Sequence, residues 1–188
     1  MTKYLLLVKH SVPEISGDRP ANMWKLSEEG RLRAQQLAEE LESFEPEVLV
    51  SSDEPKAKET AEILGSYLRL NMQVHPNLHE HDRSDVPYLS HDAFQSSIRA
   101  FFQEPDQLVF GKETANEAYA RFYRAVHSIL NENISKTVVI VTHGTVISLF
   151  VSRLTGSSDL ELWDKLGLPS FVAMDLHSNI IIVKSTIV

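Results

Sequence analysis

Residues 3–11 read KYLLLVKHS, an apolar run from Tyr4 to Val8 that ends abruptly in Lys9, His10 and Ser11. A short run of that composition, bounded by Pro13, reads as a fully buried strand of a parallel sheet. Its carboxyl end then delivers Lys9, His10 and Ser11 to the rim where open α/β sheets bind their ligands. Taken alone, Lys9 could simply let the strand surface and His10 could be a hydrogen-bonded bystander. Whether other strands end in the same way decides between the two.

Two others do. EVLVSS, residues 47–52, is a second buried strand, followed by a helix over EPKAKETAEILGSYLRL. Pro55 falls near the first helical position, which puts Lys56 in the first turn and Ala57, Ala61, Leu64 and Leu68 on one stripe. TVVIVTHGTVISLFVSRL, from Thr137, is a third buried strand that turns through His143 into a helix. Parallel strands present their carboxyl ends on one edge, so Lys9, His10, Lys56 and His143 converge although they are far apart in sequence. Two imidazoles and two ammonium groups suit a phosphate. Lysines and helix N-terminal amides bind its oxygens, and a neutral imidazole can attack phosphorus.

The remaining segments alternate in the same manner. Ser27 caps a helix over SEEGRLRAQQLAEELESF with Ala34, Leu37, Ala38 and Leu41 on its buried face. ETANEAYARFYRAVHSILNE, from Glu113, places Ala115, Ala118, Tyr119, Phe122, Val126, Ile129 and Leu130 at helical spacing, a core stripe. SFVAMDLHSNIIIVKST closes the chain as a hairpin with its turn near Ser178 and Asn179. The order is that of an α/β layered sheet. The loop SVPEISGDRPANMWK, from Ser11, is longer than ordinary connections and is a functional candidate.

Composition bounds the function. A chain of 188 residues suits a single domain, 1–188, with one lid-like excursion at about 82–110. With no cysteine there is neither thiolate chemistry nor Cys-ligated zinc, and a reducing, cytoplasmic setting is expected. No apolar run approaches the ~20 residues of a bilayer span, so no membrane partner is expected. A formal net charge of -8 argues against nucleic acid, because backbone binding needs a basic face. An anionic ligand therefore needs a small, locally positive pocket.

Over nearly its whole length the sequence resembles the histidine phosphatase superfamily, the phosphoglycerate-mutase-like enzymes. Lys9-His10-Ser11 stands where the family has Arg-His-Gly, whose His is the nucleophile. WKLSEEGRLRAQQLAEEL resembles its Leu-Thr-x-x-Gly helix, and SSDEPKAKETA its Ser-Ser-x-x-x-Arg-Ala-x-x-Thr-Ala, with Lys56 in the Arg place. LHEHD resembles the segment whose Glu donates a proton, giving Glu80; GKETANEAYARF resembles the Gly-x-Glu-Ser helix start; VTHGT supplies the second histidine, His143.

The resemblance implies a three-layer sandwich with a mostly parallel central sheet flanked by helices. It also implies a phosphomonoester hydrolase that needs no cofactor and acts on a small phosphorylated metabolite or a phosphoprotein. In that reading His10, Glu80 and His143 are catalytic, and Lys9, Lys56 and Ser11 bind phosphate. His10 is neutral with one ring nitrogen hydrogen-bonded, and Glu80 has a raised proton affinity so that it arrives protonated. Glu113 or Asp82 stands next in line as acid. Both phosphate-binding arginines have become lysines, which lack the planar fork. The alternatives are a catalytically weak phosphate-ligand binding protein of the same fold, or a phosphomutase.

His79, Glu80 and His81 invite a metal reading. On a strand, however, the two histidines share one face while Glu80 takes the other, so no metal site is expected and His79 and His81 belong to the rim or surface. His75, His91, His127 and His177 have no supporting context. Within residues 82–110, Ser90 caps a helix carrying Phe94, Ile98, Phe101 and Phe102, a lid beside Glu80 or a helix docked on the core.

Overall fold

The computed structural model describes residues 3–177 and 181–185. Among them six strands form one sheet: β1 (Tyr4–Lys9), β2 (Val48–Ser51), β3 (Met72–Val74), β4 (Val138–Thr142), β5 (Ser170–Asp175) and β6 (Ile181–Ser185). Their order is β3-β2-β4-β1-β5-β6. β3, β2, β4 and β1 run parallel, while β5 pairs antiparallel with both β1 and β6. The closing β5–β6 pair is the hairpin expected from sequence; its turn near Ser178 and Asn179 lies outside the described residues.

Helices cover both faces, which is why the strands are apolar on both sides. On one face Leu6, Val8, Leu49, Val139 and Val141 meet Leu37, Ala38 and Leu41 of α1 (Glu28–Glu42) and Ala57, Ala61 and Leu64 of α2 (Pro55–Leu68). On the other, Leu5, Leu7, Val50, Val138 and Ile140 meet Phe122, Val126 and Ile129 of α4 (Ala115–Glu132) and Val146, Ile147 and Phe150 of α5 (Gly144–Thr155). Ser27 accepts from the Gly30 N–H, and Thr114 with Glu117 closes a capping box, so both helices start where the sequence places them.

Gly30 is required by contact: a Cβ there would lie 2.1 Å from the Val12 carbonyl oxygen. Its helix therefore packs backbone to backbone against the loop that follows His10. Within residues 82–110, α3 (His91–Gln103) is capped by Ser90 as expected. Its Ile98, Phe101 and Phe102 dock on Ala115, Ala118 and Leu149, with Phe94 and Trp163 at the margin. Two elements are absent from the sequence reading. β3 is an exposed three-residue edge without an apolar run, and α6 (Asp159–Lys165) buries only Leu162, too little for a periodic signal.

Candidate active site

Strand register assembles the site. Lys9 lies opposite Thr142 and Ser51 opposite Val141, so the residues that follow each strand leave the sheet side by side. The His10 N–H donates to the Thr142 carbonyl and the Ser52 N–H to the Val141 carbonyl, both at 2.9 Å. The imidazoles of His10 and His143 stand edge to face with centroids 5.2 Å apart. The convergence of Lys9, His10, Lys56 and His143 at one sheet edge is thus a consequence of the β2-β4-β1 order.

His10 Nδ1 is 2.8 Å from the carbonyl oxygen of Ser11, which only accepts, so Nδ1 carries the ring proton and Nε2 presents a lone pair. Burial, the Lys56 ammonium and His143 hold the ring well below the usual imidazole range, so it is neutral at physiological pH. His143 is fully buried, with Nε2 2.9 Å from the Ser52 hydroxyl and Nδ1 without a protein partner. Burial and the Lys56 charge keep it neutral as well. The Ser11 N–H is taken by the Thr60 hydroxyl, which in turn donates to the Lys56 carbonyl, while the buried Ser11 Oγ has no partner. α2 is thereby tied to the turn that shapes His10.

Both lysines reach protein acceptors. Lys9 Nζ donates to the Leu166 carbonyl at 2.7 Å, its stem passing Gly144, where a Cβ would come within 3.1 Å of Lys9 Cε. Lys56 Nζ donates to the Ala21 carbonyl at 2.6 Å and pairs with Glu54 Oε2 at 2.5 Å. An ammonium has three donors, so each lysine retains at least one.

Glu54 is absent from the sequence reading. Only 7% exposed, it also accepts the Glu80 N–H on Oε1 at 2.9 Å, and Oε1 lies 3.5 Å from His143 Nε2. The available signal was its place between the strand-end serines and Lys56, an acid two residues from a base.

The raised proton affinity expected for Glu80 is corrected. Burial alone pushes the carboxyl up, but the Arg83 guanidinium, His143 and the His81 N–H together bring it below the ordinary glutamate value. Glu80 Oε1 accepts from the His81 N–H at 2.9 Å, and Oε2 accepts from the Thr145 N–H at the start of α5 at 3.2 Å. A carboxylate so placed is stabilised as an anion.

The segment bearing Glu80 is not a strand; it leaves a 3-10 turn at Pro76–Leu78 and is pinned from behind. Arg121 donates to the carbonyls of Asn77, His79 and Glu80 and pairs with Glu113. Glu113 also accepts the Asp82 N–H, so it is a structural anchor and not a reserve acid, and Asp82 is occupied with the Ser84 N–H. His81 sits at the cavity rim and not on the surface: 2% exposed, it packs on Phe101 at 4.2 Å, meets Phe110 edge to face at 4.9 Å and bonds the Glu113 carbonyl. His79 instead bonds the Glu80 carbonyl.

A cavity of about 440 Å³ opens here, lined among others by Asn22, Glu54, Lys56, Glu80 and Arg83. Arg83, unmarked in sequence, stacks over Phe94 at 4.9 Å and approaches Glu80 Oε2 at 3.8 Å. Three cations, Lys9, Lys56 and Arg83, thus face two carboxylates, Glu54 and Glu80, around two neutral histidines.

A mostly parallel sheet whose rim brings two neutral histidines among buried cations defines a phosphoryl-binding class of α/β protein. The chain belongs to the histidine phosphatase superfamily (branch 1), which it matches over residues 6–179. It is 25% identical over 131 residues to the uncharacterized phosphatase PhoE of Bacillus subtilis (strain 168), a match covering 70% of this chain and 65% of that protein, just under two thirds of its length. Among solved structures, Bacillus stearothermophilus YhfR superposes with a TM-score of 0.78 at 24% identity, covering 98% of this chain and 96% of that one. A mycobacterial glucosyl-3-phosphoglycerate phosphatase in complex with VO3 gives 0.77 at 24%, covering 97% and 98%.

Proposed function

We propose that the protein is a phosphomonoester hydrolase that works through a phosphohistidine on His10. The observation that carries this is the His10 ring, neutral, with its proton fixed on Nδ1 by the Ser11 carbonyl and its Nε2 lone pair free to attack phosphorus. Membership of the histidine phosphatase superfamily, and relatives named as phosphatases, support the same chemistry.

In this reading His10 Nε2 bonds to phosphorus as the bond to the leaving oxygen breaks, and Glu80 gives that oxygen its proton. Water, deprotonated by Glu80, then cleaves the nitrogen–phosphorus bond and releases phosphate. The free donors of Lys9 and Lys56, the Ser11 hydroxyl and His143 Nδ1 take the equatorial oxygens, where phosphoryl transfer draws most of its help. No step requires a metal or cofactor. The substrate is a small phosphorylated metabolite. A cytoplasmic setting is part of the proposal; among the described residues no helix is long and apolar enough to cross a membrane.

One observation favours a second reading. Both lysines already satisfy protein acceptors, as they would in a phosphate-ligand binding protein with little turnover. Acid-labile phosphorylation of His10, followed by mass spectrometry across a panel of phosphorylated metabolites, separates the two. A hydrolase accumulates phosphohistidine that decays to phosphate, and His10→Ala abolishes both the adduct and turnover while its circular dichroism stays native. Full turnover in His10→Ala overturns the covalent assignment.

A further inference from the structure

Glu54 poses a question the reaction scheme leaves open. A buried carboxylate at 2.5 Å from Lys56 opposes phosphate binding, and Glu80, the acid of the scheme, is held as an anion where a proton donor is required. One arrangement answers both. Glu54 Oε2 holds Lys56, and Oε1 accepts the Glu80 N–H and stands 3.5 Å from His143. Whatever takes Lys56 away from Glu54 therefore leaves an uncompensated negative charge against the backbone of Glu80.

We propose that Glu54 is a positioning residue that exchanges Lys56 for a proton on Glu80: a phosphoryl oxygen draws Lys56 from Glu54, and the exposed Glu54 charge makes Glu80 take up a proton. The inference rests on the reading of Glu80 as the acid. The proton comes from bulk water through the cavity that Glu54, Lys56 and Glu80 line together, and no other bond is made or broken. Lys56 meets the phosphoryl oxygen first with the one donor not given to Ala21 or Glu54, and the phosphoryl charge then competes with the Glu54 carboxylate for the same ammonium.

The other groups around Glu80 are known. Arg83 from the following loop, the Thr145 N–H from the start of α5 and the His81 N–H all favour the anion, His143 beside them is held neutral, and Lys9 from β1 lies close enough to feel the Glu80 charge. Glu54 opposes them; with Lys56 attached, its opposition is muted. The bound anion pushes in the same direction as Glu54. The proposal therefore concerns the share that disappears with the Glu54 charge.

Orthovanadate is the probe. Infrared difference spectra of the wild-type protein, recorded as vanadate is added, should show a protonated-carboxyl stretch that is missing in Glu80→Gln. In Glu54→Gln the pH midpoint of that band should fall by about one unit, the scale of a close carboxylate's effect. Vanadate affinity should rise in the same variant, by about threefold or more, because Lys56 no longer has an anionic rival. Damage to the site would weaken binding, so the sign separates the two. Glu54→Asp, which keeps the charge, should restore the midpoint toward wild type.

Vanadate binding to the wild type without any new protonated carboxyl overturns the exchange and leaves the phosphatase reading intact. So does an unchanged midpoint, or unchanged or weaker vanadate binding, in Glu54→Gln. Failure of the wild type to bind vanadate at all overturns the phosphatase reading, and the exchange with it.

Discussion

Lys9 ends its strand by reaching back to the carbonyl oxygen of Leu166, 2.7 Å from Nζ, across the start of α5. Burial outweighs the support of the Glu80 carboxylate and lowers the ammonium to about 8.

The first prediction follows from that value. Lys9 is charged below about 8 and loses its proton above it, so kcat/KM, which reports the free enzyme, should decline through that pH. A bound phosphoryl group favours the charged form, so kcat should decline only at higher pH. Lys9→Arg should remove the limb without raising activity at neutral pH, since a bulkier head must fit between Gly144 and Leu166. Linkage gives the stability sign. The unfolded chain binds the proton more tightly, so Lys9 costs stability below about 8, and the cost fades as pH rises toward the ordinary lysine value of 10.5. Lys9→Met should therefore raise Tm at pH 7, and the gain should vanish near pH 10.5. A kcat/KM limb that persists in Lys9→Arg assigns it to another group.

Two glycines give opposite outcomes. In Gly30→Ala the new Cβ would lie 2.1 Å from a backbone oxygen, Val12 O, which cannot step aside, so the loop beyond His10 must shift at a cost of about 3 kcal/mol. In Gly144→Ala the atoms met are the far end of the Lys9 side chain, at 3.1 and 3.3 Å, which yields. Urea melts should show a large loss for the first and little for the second, while the second loses activity by about tenfold as Lys9 is displaced. Comparable stability losses in both would refute the distinction.

What the sequence made legible follows from range. Strand ends and helix starts are local patterns, so Lys9, His10, Lys56 and His143 could be placed on one rim from apolar runs and caps alone. That one ring nitrogen of His10 is hydrogen-bonded was implied by the resemblance, but which nitrogen it is came only with the Ser11 carbonyl in place. The partners of Lys56 and Glu80 were not. They depend on a carboxylate, Glu54, whose burial arises only when β2, β4 and the loop after β3 meet. Arg83 and Arg121 were hidden for the same reason: each acts on Glu80 through contacts made only once the excursion at 82–110 and α4 have packed.

Arg121 supplies the third prediction. Its guanidinium holds three carbonyl acceptors of the Glu80 segment, those of Asn77, His79 and Glu80, and the Glu113 carboxylate, with both side chains largely buried. Arg121→Met strands the Glu113 charge and should cost about 3 kcal/mol. Glu113→Gln keeps the shape and removes the charge, so it should cost less. Activity toward poor leaving groups should fall in both, because Glu80 loses its support while His10 does not. Equal loss across all leaving groups in folded protein would show that Arg121 supports more than the Glu80 segment.

The fourth prediction isolates Glu80. A carboxyl that protonates the leaving oxygen matters only when that oxygen departs as a poor leaving group. Glu80→Gln keeps an oxygen for only one of the His81 and Thr145 N–H groups, which bond separate carboxylate oxygens, but Arg121 still holds the carbonyls of Asn77, His79 and Glu80, so the segment should hold its place. Its kcat/KM, which reports the phosphorylation step, should drop by about a hundredfold or more for an alkyl phosphate and by far less for a nitrophenyl phosphate, whose leaving group departs without a proton. Hydrolysis of the phosphohistidine also uses Glu80 as base, so with the activated ester the adduct should accumulate and appear as a burst of nitrophenol followed by slow turnover. A Glu80→Gln protein that shows neither leaving-group dependence nor a burst would move the acid and the base away from Glu80.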